Sequence, residues 1–176
     1  MRKLFSYLLI PCLALIFTTV DAQNNGPAAS PSAKLEAMAG TTKITIEYSR
    51  PSMKDREIFG GLLKYGEPWR TGANGPNKIT FDKDVMVEGK SLAAGSYTIT
   101  TVPGKESWEV SFHVHEGGQS NAYFEKTPAV KVMVEPVELG CTVETFLMDV
   151  GNLRNESATL GLAWENTYVP ITLGVK

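Results

Sequence analysis

The residues best suited to chemistry lie in one stretch, Arg50 to Lys78 (RPSMKDREIFGGLLKYGEPWRTGANGPNK). Six bases (Arg50, Lys54, Arg56, Lys64, Arg70, Lys78) meet three acids (Asp55, Glu57, Glu67), a local charge of +3 in a chain whose net charge is −2. Its three arginines carry planar forks that match carboxylate, sulfate or phosphate oxygens. Tyr65 and Trp69 add flat faces for a sugar ring or a guanidinium, and five glycines allow close approach of the backbone to a ligand. These features make Arg50, Arg56, Tyr65, Trp69, Arg70 and Asn74 the candidate ligand-binding set, for an anionic or carbohydrate-like group. The same residues also admit a structural reading. Arg50, beside Pro51, would clamp a strand end, Trp69 would plug one end of the fold, and Ile58, Phe59, Leu62 and Leu63 would pack on the core.

Other constellations are thinner. His113 and His115 stand two apart, so a strand places both imidazoles on one face, a spacing that chelates zinc. No third histidine exists in the chain, and Glu109 or Glu116 would have to assist. Trp108, Val110, Phe112 and Val114 alternate with Glu109, Ser111, His113 and His115, so the histidines are expected on a solvated polar face, with no metal and no cofactor. Asp82 and Asp84 flank Lys83 between two strands, where aspartate serves backbone hydrogen bonding more often than acid–base work. No GxSxG elbow, GxGxxG, P-loop or CxxC occurs. No catalytic residue is assigned.

The elements that must position these groups read as strands. In Thr42 to Ser49, Ile44, Ile46 and Tyr48 share one face while Lys43, Thr45 and Glu47 share the other. Similar runs recur at Lys78 to Phe81, Val85 to Val87, Ser96 to Val102, Trp108 to His115, Ala129 to Val134, Thr142 to Val150, Ala158 to Trp164 and Val169 to Val175. Glu88-Gly89-Lys90 and Pro103-Gly104-Lys105-Glu106 read as hairpin turns. Helical periodicity is lacking after residue 33, apart from one short turn within Lys54 to Tyr65. About nine short strands with frequent turns predict an all-β antiparallel sandwich, with a closed barrel as the alternative. The connection from Arg50 to Lys78 is long for a compact domain, and such loops are often functional.

The N-terminus carries an address. Arg2 and Lys3 precede an uncharged run from Leu4 to Val20, and Val20-Asp21-Ala22 fits a cleavage site, so residues 1–22 read as a secretory signal peptide. Residues 23–33, small, polar and proline-containing, read as a flexible leader, and 34–176 as a single domain. Removing residues 1–22 leaves 154 residues with net charge −3 and one cysteine, Cys141, which closes no internal disulfide. Without a basic excess there is no electrostatic ground for nucleic-acid binding. No membrane span is expected after processing.

The run YSRPSMKDREIFGGLLKYGEPWRTGAN resembles the signature of the secreted Gram-negative bacterial family catalogued as domain of unknown function 2911. The likeness continues through DVMVEGKSLAAGSYTITTVPGKESWEV and LGLAWENTYVPI, and so covers nearly the whole processed chain. It implies an exported β-rich domain with the arginine and tryptophan loop as its hallmark, and it implies no activity, substrate or catalytic residue. The expectation is a periplasmic or extracellular non-catalytic binding module. An exported hydrolase using Tyr65 or Glu67 beside an arginine, and an envelope protein-interaction module docking through Trp69, stand as alternatives.

Overall fold

A computed structural model describes residues 27–175, so the expected signal peptide and the first residues of the leader lie outside the described residues. Among the described residues ten strands form two antiparallel sheets that do not close into a barrel, and the architecture is a β-sandwich. The strands are β1 (Ser32–Ala39), β2 (Thr42–Ser49), β3 (Lys78–Phe81), β4 (Val85–Val87), β5 (Lys90–Leu92), β6 (Gly95–Val102), β7 (Trp108–Val114), β8 (Val130–Val134), β9 (Val137–Gly151) and β10 (Ser157–Gly174). One sheet runs β1-β2-β3-β6-β7-β8 and the other β5-β4-β10-β9.

Period-two alternation sets the layers. In β2, Ile44, Ile46 and Tyr48 face the core, and in β7 Trp108, Val110 and Phe112 do the same. The β4–β5 hairpin turns on Glu88 and Gly89, both at positive φ (45° and 77°), which matches the right-handed twist of the strands it joins. Tyr48 ties the layers together through its hydroxyl, which accepts from the Met148 amide at 3.0 Å and donates to the Met148 carbonyl at 3.2 Å.

Several features depart from the sequence expectation: β9 begins at Val137 rather than Thr142, and no helical turn forms within Lys54 to Tyr65. The first strand begins at Ser32 within the expected leader, and its composition, SAKLEAMA, is poor in the β-branched and aromatic residues that mark strands. The runs expected as separate strands at Ala158 to Trp164 and Val169 to Val175 are one strand, β10. Its pairing with β9 is irregular around Glu165, whose φ is +54°. Core-facing positions switch there from even (Leu160, Leu162, Trp164) to odd (Val169, Ile171, Leu173), as an inserted residue requires. A further departure is β5, of which only Lys90 falls within an expected element, the hairpin turn Glu88-Gly89-Lys90.

The Arg50–Lys78 stretch is a strap between the sheets. At its start the Met53 amide donates to the Glu144 carbonyl (2.9 Å) and the Phe146 amide to the Pro51 carbonyl (2.9 Å), adding a short rung to β9. Near its end Trp69 pairs with Thr101 of β6 through N–H···O bonds of 2.7 and 2.9 Å. In the middle, the Glu165 carboxylate accepts the Ile58 and Phe59 amides at 3.0 and 3.2 Å. Between these anchors Trp69 stacks on Trp164 (5.7 Å, 24°) and meets Phe146 (5.0 Å) and Trp108 (6.3 Å) edge-on. Such ring clusters combine large area burial with favourable edge-to-face geometry. Truncation of Trp69 to alanine is therefore expected to cost about 3–5 kcal/mol of unfolding free energy in urea titration. A loss under about 1 kcal/mol would show that this ring does not anchor the strap.

Candidate functional site

Where the strap crosses from β9 to β6 it leaves an open cleft of about 530 Å³, within the range of small-molecule sites. Lys54, Arg56 and Arg70 line it, and among the described residues no aspartate or glutamate does. Among the described residues none of these three cations makes an ion pair.

Each is placed by backbone constraints nearby. Arg56 is pinned over the turn it follows, its Nε donating to the Met53 carbonyl (2.7 Å) and its Nη2 to the Ser52 carbonyl (2.8 Å). The Lys54 backbone amide is held by the Glu144 carboxylate at 3.0 Å, and the residue has φ +50°. Arg70 is exposed, and among the described residues its guanidinium has no partner. Its backbone is fixed. The Asn77 amide nitrogen reaches the carbonyls of Arg70 (3.1 Å), Thr71 (3.1 Å) and Ile99 (2.7 Å), while Asn77 Oδ1 accepts the Ile99 amide (2.8 Å). Thr71 adopts φ +52°, a strained state for a β-branched residue that costs about 1–3 kcal/mol. Its buried hydroxyl meets that of Thr101 at 3.0 Å.

The remaining candidates go elsewhere. Arg50 Nε donates to the Phe146 carbonyl at 3.1 Å and clamps the strap to β9. Trp69 touches the cleft floor but is only 6% exposed, and Trp164 covers one of its faces, so it offers an edge and no stacking platform. Tyr65 lies in a separate groove beside Lys105, whose Nζ stands 5.7 Å from the ring centre. Asn74, at φ +59°, donates to the Ser30 carbonyl (3.1 Å) and holds the start of the described chain against the strap. The structure thus brings Arg56, Arg70 and the rim of Trp69 together, and it adds Lys54, Asn121, Phe124 and Trp164, which the sequence reading did not select.

The histidines are not solvated as expected. His113 is 3% exposed, because the 3₁₀ helix Ser120–Glu125 lies over that face of β6 and β7. With three residues per turn, Ser120 and Tyr123 share the inner face, while Asn121 and Phe124 share another that faces the cleft. Tyr123 meets His113 edge-on at 5.9 Å and lies parallel to His115 at 6.5 Å. Its hydroxyl accepts the Glu116 amide and donates to the Gly117 carbonyl. His113 Nε2 pairs with Thr100 Oγ1 (2.9 Å) and His115 Nδ1 with Thr98 Oγ1 (2.7 Å), while His113 Nδ1 is buried without a hydrogen-bond partner among the described residues. No group of three or more histidine, cysteine or acidic side chains among the described residues is arranged to hold a metal ion. Asp82 and Asp84 cap backbone amides of Lys43 and Ala94, and Cys141 is exposed on β9. Burial pushes the Asp149 carboxyl and the neighbouring Tyr168 phenol up, but neither lines the cleft.

Burial pushes the His113 imidazole below its ordinary 6.5, and the charges of Lys131 on β8 and Lys126 after the 3₁₀ helix add repulsion that the Lys126 backbone and Glu109 only partly oppose. The unfolded chain therefore takes up this proton at a higher pH than the fold does. Stability is complete above about pH 6.5 and is lost as the pH falls from there toward the lower folded value. In urea denaturation at about pH 7.5 and about pH 5.5, His113→Gln is expected to lose less stability on acidification than the wild type. Equal losses in both proteins would assign the acid sensitivity to other groups.

No curated protein and no solved structure matches this chain. The family model described as "Protein of unknown function (DUF2911)" matches residues 30–173, a span that holds the strap, the cleft and nearly all of both sheets. The chain belongs to this DUF2911 family of proteins of unknown function.

Proposed function

We propose that this protein is an exported binding module whose cleft takes an anionic ligand. The observation that carries the reading is the cluster of Lys54, Arg56 and Arg70 around one cavity that no carboxylate of the described residues lines, in a chain of net acidic charge. Like charges gathered on a fixed backbone are unfavourable in isolation, and a bound anion relieves that repulsion. Guanidinium forks suit phosphate, sulfate or carboxylate oxygens. A binding role is favoured over hydrolysis because, among the described residues, no carboxylate or imidazole lines the cleft beside an arginine, and Tyr65 stands in another groove. The envelope-docking reading loses its hook, since Trp69 is committed to the core. Export rests on the segment at residues 1–22, and the ligand would be met in the periplasm or outside the cell.

Two arginine variants separate structure from binding. Arg50→Ala removes a charged donor from the Phe146 carbonyl and is expected to cost about 1.5–3 kcal/mol of stability. Arg70→Ala, with nothing to lose inside the fold, is expected to stay within about 0.5 kcal/mol of the wild type. In thermal-shift titrations with inorganic phosphate and with sulfate at constant ionic strength, the wild type should gain stability while Arg70→Ala loses most of that gain. Equal shifts in the two proteins would refute the site.

A further inference from the structure

We infer that the ligand of this cleft is an amphiphilic anion, a phosphate, sulfate or carboxylate head joined to an apolar body. This rests on the anion-binding reading above and specifies what the anion is attached to. The cationic groups occupy part of the lining, and much of the rest is apolar, with Leu62, Leu63, Pro68, Trp69, Phe124 and Trp164 all contributing. Leu62 is 48% exposed although it sits on an ordered turn, its amide bound to the Glu57 carbonyl at 3.0 Å and that of Leu63 to the Ile58 carbonyl at 2.8 Å. The turn is itself held from behind by Glu165. A leucine held in that position contributes apolar surface to the cleft that the body of an amphiphilic ligand would cover.

The polar inventory argues against a hydroxyl-rich ligand. A sugar brings several donors that need acceptors, and an unmatched buried hydroxyl is costly. The side-chain acceptors in the lining are Ser30, Ser52 and Asn121, and the Ser52 hydroxyl is already paired with that of Thr145 at 2.9 Å. Trp69 and Trp164 stack on each other and are 6% and 2% exposed, so neither offers a sugar an open face. One charged head with an unbranched or aromatic apolar body leaves neither problem. The head neutralises the Arg70 and Arg56 side, and the body covers Leu62, Pro68 and Phe124.

The test is calorimetric titration of the purified protein with inorganic phosphate, with butyl, hexyl and octyl phosphate, each below its micelle threshold, and with octanol. Affinity is expected to rise by up to about fourfold per added methylene until the walls are covered. Leu62→Ser should reduce the gain per methylene, and Arg70→Ala should weaken all the phosphates by a common factor. A flat series in which inorganic phosphate still binds would overturn the amphiphile and leave the anion reading standing. Octanol binding as tightly as octyl phosphate, or no binding of any phosphate, would overturn both.

Discussion

The packing of Trp69 against Trp164, Phe146 and Trp108 is the constraint on which the site depends. A connection of this length loses a great deal of conformational entropy when it orders, about 1–2 kcal/mol per residue for the backbone alone. Surface hydrogen bonds do not offset that. The strap orders because Ile58, Phe59 and Trp69 enter the sandwich and because both its ends join existing strands, at β9 through residues 51–53 and at β6 through Trp69 and Thr101. The tryptophan therefore works for the ligand indirectly. It fixes the backbone from which the arginines project.

The same packing explains why the arginines divide into two kinds. Arg50 precedes Pro51 at the point where the strap leaves β2, so its side chain lies along the β9 edge and finds the Phe146 carbonyl. Arg70 follows the buried Trp69, and in extended backbone successive side chains point to opposite sides. With Trp69 turned in, Arg70 is turned out. Asn77 and the strained Thr71 then hold that orientation, so the charge is displayed without depending on a side-chain partner. Arg56 is intermediate, since main-chain carbonyls orient its fork and leave Nη1 without a described partner.

Much of the scaffold was legible because a half-buried strand records its burial as alternation, and β2, β3, β4, β6 and β7 were placed within a residue or two. The failures share a cause. Local pattern carries no information about what covers a face. His113 sits on the face that alternation marks as polar, and only the later segment from Glu116 to Glu125, which has no periodicity to announce a helix, buries it. Alternation also breaks at Glu165, where the parity of β10 switches, so one bent strand reads as two. In the site, residue type pointed to Arg56 and Arg70. Lys54 looked like any surface lysine, and Asn121, Phe124 and Trp164 reach the cleft from distant parts of the chain without a shared motif. Tyr65 and Trp69 are only four apart in sequence, yet the turn at Gly66, with φ +81°, sends the two rings to different places.

The 3₁₀ helix over His113 and His115 joins two otherwise separate parts of the molecule. Its inner face, through Ser120 and Tyr123, is seated on hydroxyl–imidazole pairs and an edge-on ring contact, and its neighbouring face supplies Asn121 and Phe124 to the cleft. A turn of six residues with i, i+3 spacing cannot shift one face and leave the other in place. Ser120 Oγ also donates to the Asn74 carbonyl at 3.1 Å, so the helix touches the strap directly. The cleft wall is thus supported partly by the aromatic core and partly by a seat that disfavours protonation of His113. The first support follows hydrophobic packing and is insensitive to pH, whereas the second weakens on acidification.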